Sequence, residues 1–202
     1  DEVKNLNVFI KELDERTEGL ETIIHEKLLG IPNLPDEKIR DGIDESSNRF
    51  VREWGAKPVL TGEPLNHVEL GEKLGLIDLK RAAKISGARF AVYRGMGAAL
   101  LRGLINFMVD VQTQENGYEE LYPPFLVNEE SLLGTGQLPK FGEELFAMKN
   151  DPLFLIPTAE VPVTNFHRDE ILEEESLPIC YTAYTPCFRR EAGSYGKDTH
   201  GL

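Results

Sequence analysis

Arg189 and Glu191 stand two apart in the string Pro186-Cys187-Phe188-Arg189-Arg190-Glu191-Ala192-Gly193-Ser194. The stretch from Ile179 to Glu191 is rich in β-branched and aromatic residues and reads as strand, where side chains alternate between faces. Arg189 and Glu191 are therefore expected on one face and Arg190 on the other. A guanidinium grips phosphate oxygens bidentately and a carboxylate accepts from an amine, so the pair can hold opposite ends of a nucleotide. Taken alone, an Arg-x-Glu on a strand is more simply an exposed cross-strand ion pair worth little. The surrounding sequence has to decide between the two.

A second string, Ile156-Pro157-Thr158-Ala159-Glu160-Val161-Pro162, follows the apolar run Leu153-Phe154-Leu155 and so sits at the end of a short buried strand. The Glu160 carboxylate suits an ammonium and the Thr158 hydroxyl a small polar substrate, although an unplaced Thr-Ala-Glu is more simply a solvated loop. Four further strings fall in order along the chain. They are Ile31-Pro32-Asn33-Leu34-Pro35, the stretch from His67 through Glu69-Leu70-Gly71 to Leu76-Ile77-Asp78, Gly87-Ala88-Arg89-Phe90, and Gly134-Thr135-Gly136-Gln137-Leu138-Pro139. Each is weak alone. Six in register, covering essentially the whole chain, resemble seryl-tRNA synthetase of the bacterial type, a class II aminoacyl-tRNA synthetase.

Composition is compatible with that resemblance without pointing to it. The 202 residues are enough for a sizeable core, and 41% hydrophobic with 28% charged residues describes an ordinary soluble globular protein. No apolar run approaches the roughly 20 residues of a membrane span, and no secretory h-region is present, so the expected compartment is the cytoplasm and no membrane partner is expected. A net charge of −13 argues against a general nucleic-acid binder but leaves room for a local basic patch that meets RNA. Charge alone would favour a metabolic enzyme. Cys180 and Cys187 lie seven apart, and the histidines at 25, 67, 167 and 200 are scattered. That is neither a disulfide framework nor a metal-ligand spacing, and both cysteines are expected as reduced packing residues.

Three segments read as elements that would position the two strings. Val3, Leu6, Ile10, Leu13, Thr17, Leu20 and Ile24 recur at spacings of three and four, a heptad seam that wants a partner helix or, alternatively, a single helix laid on the globular body. Gly30 to Pro35 stops it, and 31–63 reads as linker, with a short strand or docked loop around Trp54. His67 to Gly75 reads as a helix ending at glycine. Ala98 to Glu115 is the clearest helix: Leu101, Leu104, Ile105, Met108 and Val111 form one face, Leu100 and Phe107 widen it, and Asn116-Gly117 stop it. Tyr118 to Tyr122 then reads as strand, ended by Pro123-Pro124. The Gly134 to Pro139 string is expected as a loop.

The resemblance implies an α+β fold of the α/β kind, an antiparallel sheet flanked by helices and preceded by a long coiled-coil helix. Residues 1–30 would be the remnant of a tRNA-binding arm and 64–202 the first part of the catalytic domain. It implies ATP-dependent activation of L-serine and transfer to tRNA(Ser), with homodimerisation through the helix and strand of 98–124. Arg189 would steady the α-phosphate of ATP, Glu191 would face the adenine end, and Arg190, where many relatives carry serine, would sit close to the nucleotide. Thr158, Ala159 and Glu160 would bind serine, Gly134 to Pro139 would act as a mobile lid, and Lys197 would meet the acceptor end of the tRNA. His200 is expected as a solvent-facing loop residue.

The chain opens on Asp1 and closes on Leu202 inside a Gly-rich polar stretch, so the expectation is part of a longer protein. By the resemblance, the rest of the site, including the ligands for Mg2+ and a second ATP-gripping arginine, would lie beyond Leu202. The chain alone is then expected to be incomplete for catalysis. Two other readings stay open: a synthetase-like paralogue that activates a small amino acid for a carrier protein, and a non-catalytic dimeric binding or regulatory protein. The heptad seam speaks against the first, and the presence of both half-sites against the second.

Overall fold

The structure is a computed structural model and describes residues 2–39, 41–59 and 62–190. It divides into two units, residues 1–59 and 60–202. The first is dominated by α1, Glu2–Leu29, a 28-residue helix with none of its residues buried. Its heptad positions Val3, Leu6, Ile10, Leu13, Leu20 and Ile24 are all exposed. After it, residues 48–59 form no regular element, and Trp54 is 96% exposed. The expected strand is absent among the described residues of this unit: Gly55 turns the chain at φ +78°, and no described strand of the unit is available to pair.

The second unit begins with α2, His67–Lys73, whose N-terminus carries a reciprocal cap. The Asn66 side chain accepts from the Val68 and Glu69 N–H groups, and Glu69 reaches back to the Asn66 N–H. A bridge between Ile77 and Tyr93 brackets α3, Leu79–Ser86, which the sequence reading did not anticipate. Asp78 caps α3 by accepting from the Arg81 backbone N–H at 2.9 Å. That bond, then the one from the Arg81 guanidinium, holds the Asp78 carboxyl below its ordinary value.

The apolar helix is present as α4, Met96–Asp110, and continues as a wider π-helical turn over Val111–Glu115 before Gly117 turns the chain at φ +71°. Its start is fixed by close approach: a Cβ on Gly97 would lie 2.3 Å from the Leu76 carbonyl oxygen. Leu100, Leu101, Leu104, Phe107 and Met108 are nonetheless exposed.

Two small sheets follow. In the first, β1 (Glu119–Glu120) pairs in parallel with Tyr181–Thr182. The second is antiparallel, with β2 (Leu126–Val127) and β3 (Phe146–Ala147) on either side of β4 (Phe154–Leu155). Between β2 and β3 lies α5, Glu129–Gly134, and after β4 comes α6, Glu160–Thr164. Tyr181–Thr182 is β5. The core is the cluster Val127, Leu132, Leu145, Ile156 and Val161, with Phe125, Leu138 and Phe154 packed against it. The expected antiparallel sheet is this three-stranded one, whereas the parallel β1–β5 pair joins strands 62 residues apart in their register partners Glu119 and Tyr181.

Among the described residues from Ile179 onward, regular strand is limited to β5. Pro186 has no N–H to donate, and the residues beyond it bond to two different segments instead of one ladder. Phe188 N donates to Ile156 O at 2.8 Å and Arg190 N to Glu144 O at 2.9 Å. Cys180 and Cys187 are free, but both are exposed, so the packing role expected for them is not found. They flank the paired residues and lie outside the core cluster. Glu191, Lys197 and His200 lie outside the described residues.

Candidate functional site

The two strings singled out in the sequence meet at the end of β4. Ile156 is 0% exposed, and its backbone bonds on both sides, donating to Phe125 O at 3.0 Å and accepting from Phe188 N. One residue on, Pro157 O accepts from Arg189 Nε at 3.1 Å. A buried apolar anchor thus holds the backbone of both strings, and the guanidinium is fastened by its inner nitrogen. The two terminal nitrogens of Arg189 have no protein partner among the described residues, which leaves the bidentate end of the fork free.

The chain reverses direction immediately after Pro157. Val161 N bonds to Thr158 O at 3.4 Å, and the Thr158 hydroxyl accepts weakly from the Glu160 N–H at 3.4 Å. Thr158 thus closes the turn ahead of α6, whose N-cap is Ala159 and whose first residue is Glu160; no side chain caps that end. The expected Thr-Ala-Glu loop is therefore a turn followed by one and a half turns of helix. Pro162 is tolerated there because the N–H groups of a helix's first turn have no intrahelical partner. Val161 plugs α6 into the core, while Glu160 is exposed and its carboxylate has no partner among the described residues. Ala159 lies half-buried between them.

Arg189 lines an open cleft of ≈ 210 Å³ with Gln137, Phe141, Glu144, Leu145 and Pro157. Gln137 and Glu144 were not picked out as site residues from the sequence. Gln137 is placed by the way α5 ends. Gly136, at φ +70°, donates to Leu133 O at 3.0 Å, and Gln137 N donates to Leu132 O at 2.9 Å. This paired 5→2 and 6→1 pattern is a Schellman motif, which needs the left-handed residue that glycine supplies. The Gly-x-Gly signal was there to be read as a helix stop as well as a loop. Nothing in the Glu143-Glu144 pair distinguished it from surface acid.

Arg190 is engaged elsewhere. Its Nε donates to Leu145 O at 3.2 Å and its guanidinium lies over the Phe146 ring, 5.0 Å from the centroid. The neighbouring arginines therefore reach different carbonyls, Pro157 for one and Leu145 for the other. The α6 end of the site is bolted to α5 by Asn165, whose amide nitrogen donates to both Ser131 O and Val161 O at 2.9 Å. Close packing backs this up, since a Cβ on Gly134 would come within 3.1 Å of the Asn165 side-chain oxygen.

No group of three or more His, Cys, Asp or Glu among the described residues is arranged to hold a metal ion. Chemically, the site offers a fixed cation whose fork is free among the described residues, a carboxylate and a hydroxyl on an adjacent turn, and an open polar cleft beside them. That set can grip an anion and a small ammonium-bearing molecule side by side.

Comparison with known proteins gives a consistent answer. Residues 145–202 match the family described as tRNA synthetase class II core domain (G, H, P, S and T). The chain is 55% identical over 201 residues to a serine--tRNA ligase of Geotalea uraniireducens, covering 100% of this chain and 48% of that protein. It is 57% identical over 193 residues to that of Syntrophobacter fumaroxidans, covering 96% of this chain and 46% of the relative. Among solved structures, seryl-tRNA synthetase from Pyrococcus horikoshii complexed with ATP superposes with a TM-score of 0.87 at 34% identity, over 95% of this chain and 47% of that one. The cytoplasmic serine-tRNA ligase of Naegleria fowleri in complex with AMP gives 0.81 at 29% identity, over 98% and 49%. The chain thus spans about half the length of the relatives it matches. Over that half, with its two strings joined through Ile156, Pro157 and Arg189, it belongs to the bacterial-type seryl-tRNA synthetase family of class II.

Proposed function

We propose that the protein to which this chain belongs activates L-serine with ATP and transfers it to tRNA(Ser). The observation that carries this is the anchoring of Arg189 through Nε to Pro157 O, one residue before Thr158, with the rest of its fork unpartnered among the described residues. In the first step a serine carboxylate oxygen attacks the α-phosphorus of ATP. A new P–O bond forms, the bond to the β-phosphate oxygen breaks, and pyrophosphate leaves. Negative charge builds on the α-phosphate oxygens, where a pre-placed guanidinium is worth most. Thr158, Ala159 and Glu160 hold the serine, with Glu160 on its ammonium, so that the carboxylate is aligned with the phosphorus. In the second step a ribose hydroxyl of the terminal adenosine attacks the activated carbonyl, and AMP departs.

Within this reading Glu191, which matches the family's glutamate at that place, takes the adenine end, and Lys197, in the loop that in the family meets the acceptor end, pairs with a tRNA phosphate. Arg190, already held by Leu145 O and Phe146, supports the nucleotide side from behind. The described residues do not form a donor set for Mg2+. Helix α1 contributes to the arm that meets the tRNA, and its exposed heptad face takes a partner helix. The exposed apolar side of α4 supports a homodimer through 98–124. No helix among the described residues is long and apolar enough to cross a membrane, and the cytoplasm is the compartment this reading assigns.

The test is amino-acid-dependent ATP–pyrophosphate exchange by the full-length protein across a panel of small amino acids. Exchange driven by serine well above glycine, alanine and threonine is expected. Exchange with another amino acid alone, or none with any, would overturn the assignment.

A further inference from the structure

A second tie joins the segments that carry the two strings, through two residues that line no part of the cleft and have no role assigned above. His167 ends the single turn that follows α6, and Tyr181 lies in β5, on the segment that runs on to Arg189. His167 Nε2 is 2.9 Å from the Tyr181 hydroxyl, and Nδ1 is 2.8 Å from a Glu170 carboxylate oxygen. The imidazole and phenol rings are stacked, with centroids 5.8 Å apart and planes at 22°, and Phe166 packs edge-on against Tyr181 at 5.7 Å. A carboxylate only accepts, so Nδ1 carries the proton and donates to Glu170. Nε2 of the neutral ring then accepts from Tyr181. If the ring takes a second proton, Nε2 donates to the phenol oxygen instead, so the contact survives in either state.

A single attachment lets two segments pivot, whereas two attachments fix the angle between them. The near attachment is the Ile156–Phe188 bond with the Pro157–Arg189 bond beside it. The far one is His167 on Tyr181. Between them lie Thr158 and Glu160 on one arm and the run from Thr182 to Cys187 on the other. We propose that His167 is a positioning residue: through Tyr181 it sets the angle of α6 against the Arg189 segment, and so the alignment of the amino-acid carboxylate with the phosphorus. This rests on the function proposed above.

The experiment uses the full-length protein. Tyr181→Phe removes one oxygen and keeps the ring stack, so the fold is retained. It is expected to lower kcat for serine-dependent exchange about tenfold, because misalignment acts on the reacting geometry, with KM for serine and ATP within about threefold. His167→Leu should match it, and His167→Gln, whose amide can still face the hydroxyl, should recover most of the loss. An activity-free readout is amide hydrogen exchange at Phe188, whose N–H is tied to Ile156. It should speed up about fivefold or more in Tyr181→Phe. Unchanged Phe188 exchange, unchanged kcat, or a His167→Gln protein no better than His167→Leu each overturns the positioning role. A wild-type protein without serine-dependent exchange, in which Phe188 still responds to Tyr181→Phe, overturns the proposed function and leaves the tie standing.

Discussion

The core cluster, which reaches the cleft at Leu145, and the flank of α4 belong to one unit and are both apolar, yet they are finished to different degrees. In the cluster, Leu132, Ile156 and Val161 are completely buried, and the polar groups that border them are hydrogen-bonded. Along α4, Phe107 is 63% exposed and Leu104 47% exposed, on a helix whose sequence is more apolar than a one-sided surface helix needs. On the function proposed above, the site has its supporting shell within this chain, whereas the exposed face of α4 would be completed by a second subunit. On that reading the difference separates what this chain specifies alone from what it specifies in company.

The largest expected effect lies at the cleft. Arg189→Ala in the full-length protein should slow serine-dependent ATP–pyrophosphate exchange by about two to three orders of magnitude, the usual loss for one donor to developing charge. Thr158→Ala and Glu160→Ala should mainly raise KM for serine, by about ten- to a hundredfold, since a hydrogen bond to a charged group is worth about 1.5–3 kcal/mol. Arg190→Ala should be mild in exchange, within a few fold, because its guanidinium is held by Leu145 O and Phe146. Steady-state kinetics on the four variants gives the ranking. An Arg190→Ala protein that is dead beside an active Arg189→Ala protein would reverse the assignment of the two arginines.

The next effect tests the contrast in packing directly. Leu132→Ala leaves a cavity in the core and should cost about 2–5 kcal/mol. Leu104→Ala should cost well under that in dilute protein and more as concentration rises, if α4 is covered by a second subunit. Denaturant melts at several protein concentrations measure both. Equal and concentration-independent costs would mean that α4 is as finished as the core cluster, and the contrast would be lost.

Legibility in the sequence follows the same line. Helix α4 and the stop at Gly117 were readable because an apolar period of 3.6 over fifteen residues has no other explanation. The strand ending at Leu155 ahead of the second string was readable from its apolar run, and α1 as a helix from its spacing of three and four. Three short helices were not, although Asp78 and Asn128 stood at their caps for α3 and α5, and Thr158 beside α6. With five to eight residues each, they are too short for a period to declare itself, and their position comes from tertiary contacts such as Asn165 on Ser131. The meeting of Arg189 with Pro157, 32 residues apart, was not visible either. Alternation along a strand tells which face a side chain takes, but not which carbonyl waits on that face.

A smaller effect separates close packing from open space on a single helix. Gly97 starts α4 against the Leu76 backbone, whereas Gly103 in its middle has nothing within 4 Å of where a Cβ would stand. Gly97→Ala should cost about 1–3 kcal/mol through forced backbone shifts. Gly103→Ala should gain up to about 1 kcal/mol from helix propensity. Thermal melts of the full-length protein at low concentration read both. A Gly103→Ala protein that loses stability would place a close neighbour over that position, and so sharpen where α4 is covered.

The smallest effect concerns a site neither deep in the core nor on an open face. The Arg81 backbone N–H and then its guanidinium keep the Asp78 carboxyl below its ordinary value of 3.8. A group whose value is depressed on folding adds stability above its unfolded value and loses it as pH falls through the lower, folded one. The cap on α3 should therefore be complete near neutrality and weaken only as pH drops below about 4. Amide exchange at Arg81, whose N–H Asp78 receives, reads this locally. The wild type should lose protection at Arg81 on acidification, relative to neighbouring amides, while Asp78→Asn, which keeps an oxygen acceptor but no charge, should start lower and change little. Equal pH dependence in the two proteins would mean that another group governs the start of α3. The capping geometry would then be a consequence of the helix's position and not its cause.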